Sequence, residues 1–115
     1  MGSYTDTESQ EKFEIICICG ESGSGKTFLA NKIKNKLILE NNINPVLLDG
    51  DAVRKYINYN LGYSNEDRKL NNEIISNIAE LFYHQGHQVI ISTVRADIAF
   101  ELLRNKNIPC NLIKL

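Results

Sequence analysis

A glycine-rich run in the first quarter of the chain, Gly20-Glu21-Ser22-Gly23-Ser24-Gly25-Lys26-Thr27, fits the pattern G-x-x-x-x-G-K-[ST]. An apolar segment, residues 13–19, comes directly before it. Glycines relax the steric limits on backbone angles, so successive amide N–H groups can turn inward at the start of a helix whose dipole favours an anion. The run therefore predicts a loop that wraps nucleotide phosphates between a strand and a helix.

Three side chains in this loop have specific expected contacts. Lys26 is expected on the β and γ phosphates, and Thr27 is expected to offer its hydroxyl to Mg²⁺. Ser24 lies inside the loop, where it can contact phosphate oxygens. The alternative is a Gly/Ser turn that joins a strand to a helix, but such a turn explains neither Lys26 nor the strand before it. We therefore predict a nucleotide site formed by Gly20, Glu21, Ser22, Gly23, Ser24, Gly25, Lys26 and Thr27.

Length and composition limit the classes of protein that this chain can belong to. Its 115 residues fit one domain, and a net charge of −1 lacks the basic excess of a general nucleic-acid binder. No segment approaches about 18 continuous apolar residues, and the N-terminus lacks the features of a secretory signal. We expect a cytoplasmic protein with neither nucleic acid nor membrane as a partner. Cys17, Cys19 and Cys110 are expected to act as small buried hydrophobes in a reducing compartment.

Strand-like and helix-like segments alternate along the chain. Residues 1–11 are polar and are expected to form a flexible tail, with residues 12–115 as one domain. Strands are predicted at residues 13–19, 45–49, 88–92 and 109–115, and helices at residues 27–41, 53–60 and 96–105. A further long helix is predicted from Ser64, which with Asp67 has capping-box form, to a stop at Gly86. This alternation predicts an α/β fold with a parallel sheet and helices on both faces.

A second motif, Asp49-Gly50-Asp51-Ala52-Val53-Arg54, follows the second predicted strand. It places two carboxylates and a guanidinium at the edge where open α/β sheets bind ligands. A carboxylate there can hold Mg²⁺ through water or accept the proton of an acceptor hydroxyl, and Arg54 can grip an anionic group with two hydrogen bonds. The alternative is a solvated turn with a helix-capping Asp, which stays open for Asp49.

Together these segments resemble adenylylsulfate kinases, which phosphorylate the 3′-hydroxyl of adenosine 5′-phosphosulfate (APS). The resemblance spans residues 13–92 and rests on the phosphate loop with Leu48-Asp49-Gly50-Asp51-Ala52-Val53-Arg54, residues 60–71 beginning Asn60-Leu61-Gly62-Tyr63-Ser64, and Gly86-His87-Gln88-Val89-Ile90. It implies a three-layer fold of the P-loop NTPase type, with ATP and Mg²⁺ as cofactors. It also implies a small nucleotide as substrate and sulfate assimilation as the pathway, and it leaves a homodimer open.

The resemblance further implies roles for individual residues. Lys26 and Asp51 would be catalytic, and Thr27 and Asp51 would hold the metal. The acceptor site would consist of Asp49, Asp51, Arg54, Tyr63, Arg68 and Asn71, with Tyr63 standing where the family usually has a Phe that stacks on adenine. Independently of the family, Arg68 and Asn71 are three positions apart on one helix face, so both can point at one ligand. An exposed helix face remains the alternative for Arg68, and Tyr56 and Tyr59 are expected to be ordinary packing residues.

The sequence departs from the family pattern at three places. Glu73 and Ile74 replace the paired arginines that follow the equivalent of Asn71, and residues 92–97 are shorter than the family's segment and lack its Ser-Pro. The family continues into a lid helix pair, a fifth strand and an adenine-binding loop, so the domain is expected to be incomplete at its C-terminal end. Two alternatives stay open. One is a related kinase acting on another small nucleotide, such as a cytidine diphosphate derivative, and the other is a truncated nucleotide-binding domain without turnover.

Overall fold

The computed structural model describes residues 13–115, which form a parallel sheet with flanking helices. The tail predicted for residues 1–11 lies outside the described residues, as does residue 12. The strands are β1 (Ile15–Cys19), β2 (Val46–Asp49), β3 (Val89–Thr93) and β4 (Cys110–Lys114), and the helices are α1 (Lys26–Asn41), α2 (Gly50–Tyr56), α3 (Asn65–His84) and α4 (Ala96–Asn105). The strand order is β2-β3-β1-β4, and each neighbouring pair is parallel.

The sheet has an apolar core on each side because successive strand residues point to opposite faces. On one face, Cys17 packs in a cluster with Ile75 of α3 and Leu103 of α4. On the other face, Ile18 packs with Ala30 of α1. This arrangement confirms the predicted α/β fold, a parallel sheet between two helix layers.

The strand register brings the two predicted motifs to one edge of the sheet. β3 lies between β1 and β2, with Thr93 opposite Cys19 and Ser92 opposite Asp49. Since all three strands are parallel, the chain leaves each of them at the same edge. The phosphate loop after β1 and the acidic turn after β2 therefore lie on either side of the end of β3, which is buried along its whole length.

The short helix α2 differs from its predicted range of residues 53–60 at both ends. It runs from Gly50 to Tyr56 because Asp49 is its N-cap, and the Asp49 carboxylate accepts the backbone N–H of Ala52 at 3.0 Å. The predicted range begins only at Val53, three residues after the start of the helix. Asp49 thus caps α2, and its contact with substrate stays a prediction.

The long helix α3 begins as predicted, but its capping differs from a capping box. The Ser64 hydroxyl accepts the N–H of Asp67 at 3.1 Å, whereas the Asp67 carboxylate accepts the N–H of Gly62 at 2.8 Å. Asp67 therefore fastens the preceding turn onto the helix instead of returning to Ser64. Within residues 13–115, neither α3 nor any other helix combines the length and the apolar character needed to cross a bilayer.

All three cysteines are free thiols. Cys17 is fully buried, and burial raises the pKa of its thiol to about 12, with smaller contributions from Cys110 and Cys19. Cys19 and Cys110 are half-buried and pack against the same core cluster. Packing thus accounts for Cys17, as expected from the sequence.

Candidate active site

The phosphate loop is preformed between β1 and α1. Gly23 and Gly25 have φ angles of 82° and 98°, in the left-handed region that glycine adopts at low cost. The N–H of Ser24 donates to the Glu21 carbonyl at 3.0 Å, and so does Lys26 Nζ, also at 3.0 Å. Gly25 offers no side-chain cap to α1, and the first turn of that helix has no acidic residue. The first N–H groups of α1 are therefore left for an anion.

The acidic turn after β2 supplies the facing side of the site. The Asp51 side chain is 78% exposed, whereas that of Arg54 is 9% exposed. Arg54 Nη1 lies 3.1 Å from Asp51 Oδ1 and 3.5 Å from the Gly50 carbonyl, and its Nε donates to the Gly62 carbonyl at 3.1 Å. Arg54 is thus held largely by protein groups, and its guanidinium orients the Asp51 carboxylate.

Tyr63 lies beside two guanidinium groups. Its ring centroid is 4.4 Å from Arg54 Cζ and 5.8 Å from Arg68 Cζ. Both distances fall within the range of cation–π attraction. Arg68 Nε is buried and has no hydrogen-bond partner among residues 13–115. Arg68 also lines the cleft beside the phosphate loop, so its guanidinium can contact an anionic ligand there.

These groups line a single cleft of about 620 Å³. One side is the phosphate loop and the start of α1, and the other is the acidic turn with Arg54, Tyr63 and Arg68. Of the predicted site residues, the cleft brings together Ser22, Gly23, Gly25, Lys26, Thr27, Asp49, Asp51, Arg54, Tyr63 and Arg68. A cleft of this volume suits a nucleotide-sized ligand.

Four predicted site residues do not line this cleft. Asn71 is fully buried, and its amide bonds to the Gly50 carbonyl and to Asn58. Its contact with substrate stays a prediction. Gly20 and Glu21 line a smaller cavity of about 290 Å³ on the other side of the loop. A Cβ atom on Gly20 would lie 2.6 Å from Ser24 Oγ, so Gly20 leaves room for the Ser24 side chain.

The cleft also contains residues that sequence reasoning missed, namely Phe28, Gly50, Ser92, Thr93 and Val94. Ser92 and Thr93 end a buried strand at the ligand-binding edge, and the reasoning applied to Asp49 and Asp51 could have found them. Phe28 is 74% exposed and carried no such signal. The packing role expected for Tyr56 and Tyr59 is wrong, because both side chains are mostly exposed.

Residues 92–97, which depart from the family pattern, contain an ion pair between Arg95 and Asp97. Arg95 donates from Nε and Nη2 to the two carboxylate oxygens of Asp97, each at 2.9 Å. These hydrogen bonds hold the pKa of Asp97 below its ordinary value and raise that of Arg95. The pair lies at the start of α4, and both residues line the smaller cavity.

A parallel sheet whose first strand enters a glycine-rich phosphate loop, with an acidic turn at the end of a neighbouring strand, defines a P-loop nucleotide-binding fold. The sequence model of the adenylylsulphate kinase family matches residues 12–104. The chain therefore belongs to the adenylylsulfate kinase family, as its resemblance to these enzymes predicted.

Individual relatives agree with this assignment. A probable adenylyl-sulfate kinase of Bacillus subtilis is 41% identical over 93 residues, covering 78% of this chain and 47% of the relative. One from Pyrococcus abyssi is 40% identical over 79 residues, covering 69% and 45%. The Mycobacterium tuberculosis APS kinase CysC in complex with AMPPNP and APS superposes with a TM-score of 0.79 at 30% identity, covering 89% of this chain and 61% of that one. The chain thus spans about half the length of the two curated relatives.

Proposed function

We propose that this protein transfers the γ-phosphoryl group of ATP to the 3′-hydroxyl of APS. The observation that carries the proposal is the single cleft, with the phosphate loop on one side and Asp51, Arg54, Tyr63 and Arg68 on the other. Phosphoryl transfer depends chiefly on positioning and on stabilising charge, and this arrangement holds a donor and an acceptor close together. The mycobacterial relative bound to AMPPNP and APS supports the same pairing of ligands.

The donor side rests on Lys26, Thr27 and the N–H groups of the loop. Lys26 Nζ now donates to the Glu21 carbonyl, a bond that it would exchange for the β and γ phosphate oxygens when ATP binds. This exchange replaces a neutral acceptor by a charged one and is therefore favourable. Ser24 lies within the same loop and is proposed to contact phosphate oxygens.

Mg²⁺ fits the donor set of this cleft. Within residues 13–115 there is no group of three or more His, Cys, Asp or Glu side chains that could hold a metal ion. Mg²⁺ does not require one, because it usually binds through one or two protein oxygens, water and substrate phosphates. Thr27 and Asp51 line the same cleft and are the proposed ligands. When bound, the ion neutralises charge on the phosphates.

The acceptor side divides its tasks among three residues. Asp51 is proposed to accept the proton of the 3′-hydroxyl, Tyr63 to stack on the adenine ring, and Arg68 to bind the phosphosulfate group. Arg68 is favoured over Arg54 for the anion because Arg54 already bonds to Gly62 and Asp51. A substrate contact by Asn71 would require its amide to leave the Gly50 carbonyl.

We further propose that the protein acts in sulfate assimilation in the cytoplasm, and that residues 12–115 belong to one kinase domain.

A second candidate, nucleotide binding without turnover, is favoured by one observation. The Asp51 carboxylate, the proposed base, is 78% exposed to water. Kinases normally close a lid over such a group, since exclusion of water strengthens every electrostatic interaction in the site. Binding without turnover would retain the ATP affinity of the loop and lack transfer to any acceptor.

The test is a set of steady-state assays with ATP, Mg²⁺ and a panel of acceptors that includes APS, AMP and a cytidine diphosphate derivative. We expect the highest kcat/KM for APS. A higher kcat/KM for another acceptor would identify a related kinase. ATP binding without transfer to any acceptor would support the nucleotide-binding module and contradict the proposal.

A further inference from the structure

Asn58 is a buried polar side chain that neither the cleft nor the predicted motifs account for. It lies in the turn after α2 and is only 7% exposed. Its backbone N–H donates to the Val53 carbonyl and its carbonyl accepts the N–H of Leu61, both at 2.9 Å. The turn therefore holds the backbone of Asn58 in place, and its side-chain amide points to a defined partner.

That partner is Asn71, on helix α3. Asn58 Nδ2 donates to Asn71 Oδ1 at 2.8 Å, and both side chains are buried. Because an amide oxygen accepts and an amide nitrogen donates, this bond decides which way the Asn71 amide faces. Asn71 Nδ2 is thereby directed to the Gly50 carbonyl, 3.4 Å away.

Gly50 is confined on its other sides as well. Its carbonyl lies 3.5 Å from Arg54 Nη1, which also holds Asp51. A Cβ atom on Gly50 would lie 2.5 Å from Thr93 Oγ1, so the backbone of the turn is packed directly against the end of β3. The peptide that joins Gly50 to the proposed base Asp51 is thus clamped between β3 and α3.

We propose that Asn58 is a positioning residue of this site. By fixing the amide of Asn71, it holds the Gly50 carbonyl and with it the turn that carries Asp51. Asn58 touches neither the reacting atoms nor the cleft, and it acts through Asn71. The inference rests on the proposed function, since Asp51 matters only if the cleft transfers a phosphoryl group.

The kinetic test uses Asn58→Ala, with the exposed neighbour Asn60→Ala as the matched control. Asn58→Ala should lower kcat by about tenfold or more and leave the KM for ATP within about threefold, because it disturbs the turn and not the phosphate loop. Asn60→Ala should match the parent. The double variant Asn58→Ala/Asn71→Ala should have a kcat no lower than that of Asn71→Ala alone, because each single substitution already breaks the Asn58–Asn71 hydrogen bond. Additive losses, or an unchanged kcat in Asn58→Ala, would overturn the inference.

A second readout does not depend on activity. The carbonyl ¹³C resonance of Gly50, measured by NMR, reports the hydrogen bonds that this carbonyl accepts. It should move in the same direction in Asn58→Ala and Asn71→Ala, and stay in place in Asn60→Ala. If Asn58→Ala folds and the Gly50 resonance does not move, Asn58 does not position the Gly50 carbonyl through Asn71. If Asn58→Ala does not fold, Asn58→Ser, which is too short to reach Asn71, is compared in the same way. If the parent binds ATP but transfers nothing, while the Gly50 resonance moves as expected in the two variants, the kinase proposal is wrong. The positioning of Gly50 by Asn58 and Asn71 then still holds.

Discussion

At the residue scale, Asp51 and Arg54 are paired although their surroundings differ. The Arg54 guanidinium is enclosed by the protein, and the Asp51 carboxylate faces water in the cleft. A buried cation that is fixed by two backbone carbonyls can hold an exposed carboxylate in one orientation. We therefore propose that Arg54 mainly orients Asp51 and that Arg68 mainly recognises the acceptor.

Asp51→Asn tests the proposed catalytic role of the Asp51 carboxylate. It should lower kcat by roughly 10²-fold or more and leave ATP affinity nearly unchanged, because it removes the charge and preserves the shape of the side chain. Steady-state kinetics and isothermal titration with ATP measure the two effects. Glu66→Gln, at an exposed acidic residue of α3, is the control. Turnover of Asp51→Asn within about threefold of the parent would leave Asp51 without a catalytic role.

Arg68→Ala tests the second assignment. A charge-assisted contact to phosphate or sulfate contributes about 1.5 to 3 kcal/mol, so the KM for APS should rise by about tenfold to a hundredfold. The KM for ATP should stay close to that of the parent, and Arg68→Lys should restore little, since an ammonium lacks the planar fork. Arg104→Ala on α4 is the matched control. An equal rise in the KM values for APS and ATP would show that Arg68 is not a specific residue of the acceptor site.

At the element scale, the contact between the β2–α2 turn and the end of β3 fixes the width of the acceptor side. Gly50→Ala would bring a Cβ atom within 2.5 Å of Thr93 Oγ1 and 2.8 Å of Thr93 Cβ. The turn must then shift, at a cost of about 1–3 kcal/mol in the free energy of unfolding. Urea denaturation measures the loss, and kcat should fall with it. At Gly62 the nearest atom to an added Cβ would be 3.4 Å away, so Gly62→Ala should cost less. Equal stability of the two variants would contradict this packing.

The Arg95–Asp97 pair makes a prediction about pH. Hydrogen bonds from Arg95 hold the pKa of Asp97 below its unfolded value, so the pair stabilises the fold above the unfolded pKa. That contribution is lost as the pH falls through the lower folded pKa. Asp97→Asn should therefore flatten the decline in urea midpoint between neutral pH and about pH 2, while remaining less stable than the parent at neutral pH. The two side chains are partly exposed, so the effect should be small. Parallel curves for variant and parent would contradict it.

The elements were predictable where a local signal marks them. Apolar runs identify the strands, and Ser64 identifies the start of α3, because its hydroxyl accepts a helix N–H directly. The start of α2 was missed because its cap, Asp49, is also the last residue of β2. Asp49 was open as a helix cap in the sequence, but its place at the end of an apolar run equally fits the end of a strand.

At the scale of the whole molecule, strand order determines which residues meet. Placing the phosphate loop and the acidic turn at one edge needed only the rule that parallel strands end together. The contact of Gly50 with Thr93 depends on β3 lying beside β2, and the burial of Asn71 depends on how the turn after α2 folds onto α3. Neither follows from spacing along the chain. The sequence therefore predicted the cleft and most of its lining residues, but not the contacts of Gly50 with Thr93 and of Asn71 with Asn58.

We propose that this cleft binds ATP and APS together and transfers the γ-phosphoryl group to the 3′-hydroxyl of APS. The measurement follows label from γ-³²P-ATP into APS in the presence of Mg²⁺. A 3′-nucleotidase, which removes only a 3′-phosphate, then establishes the labelled position. The proposal predicts label on the 3′-oxygen with the parent chain, and none above background with Lys26→Ala, which removes the ammonium from the β and γ phosphates. Label in inorganic phosphate alone, or equal transfer by Lys26→Ala, would contradict it.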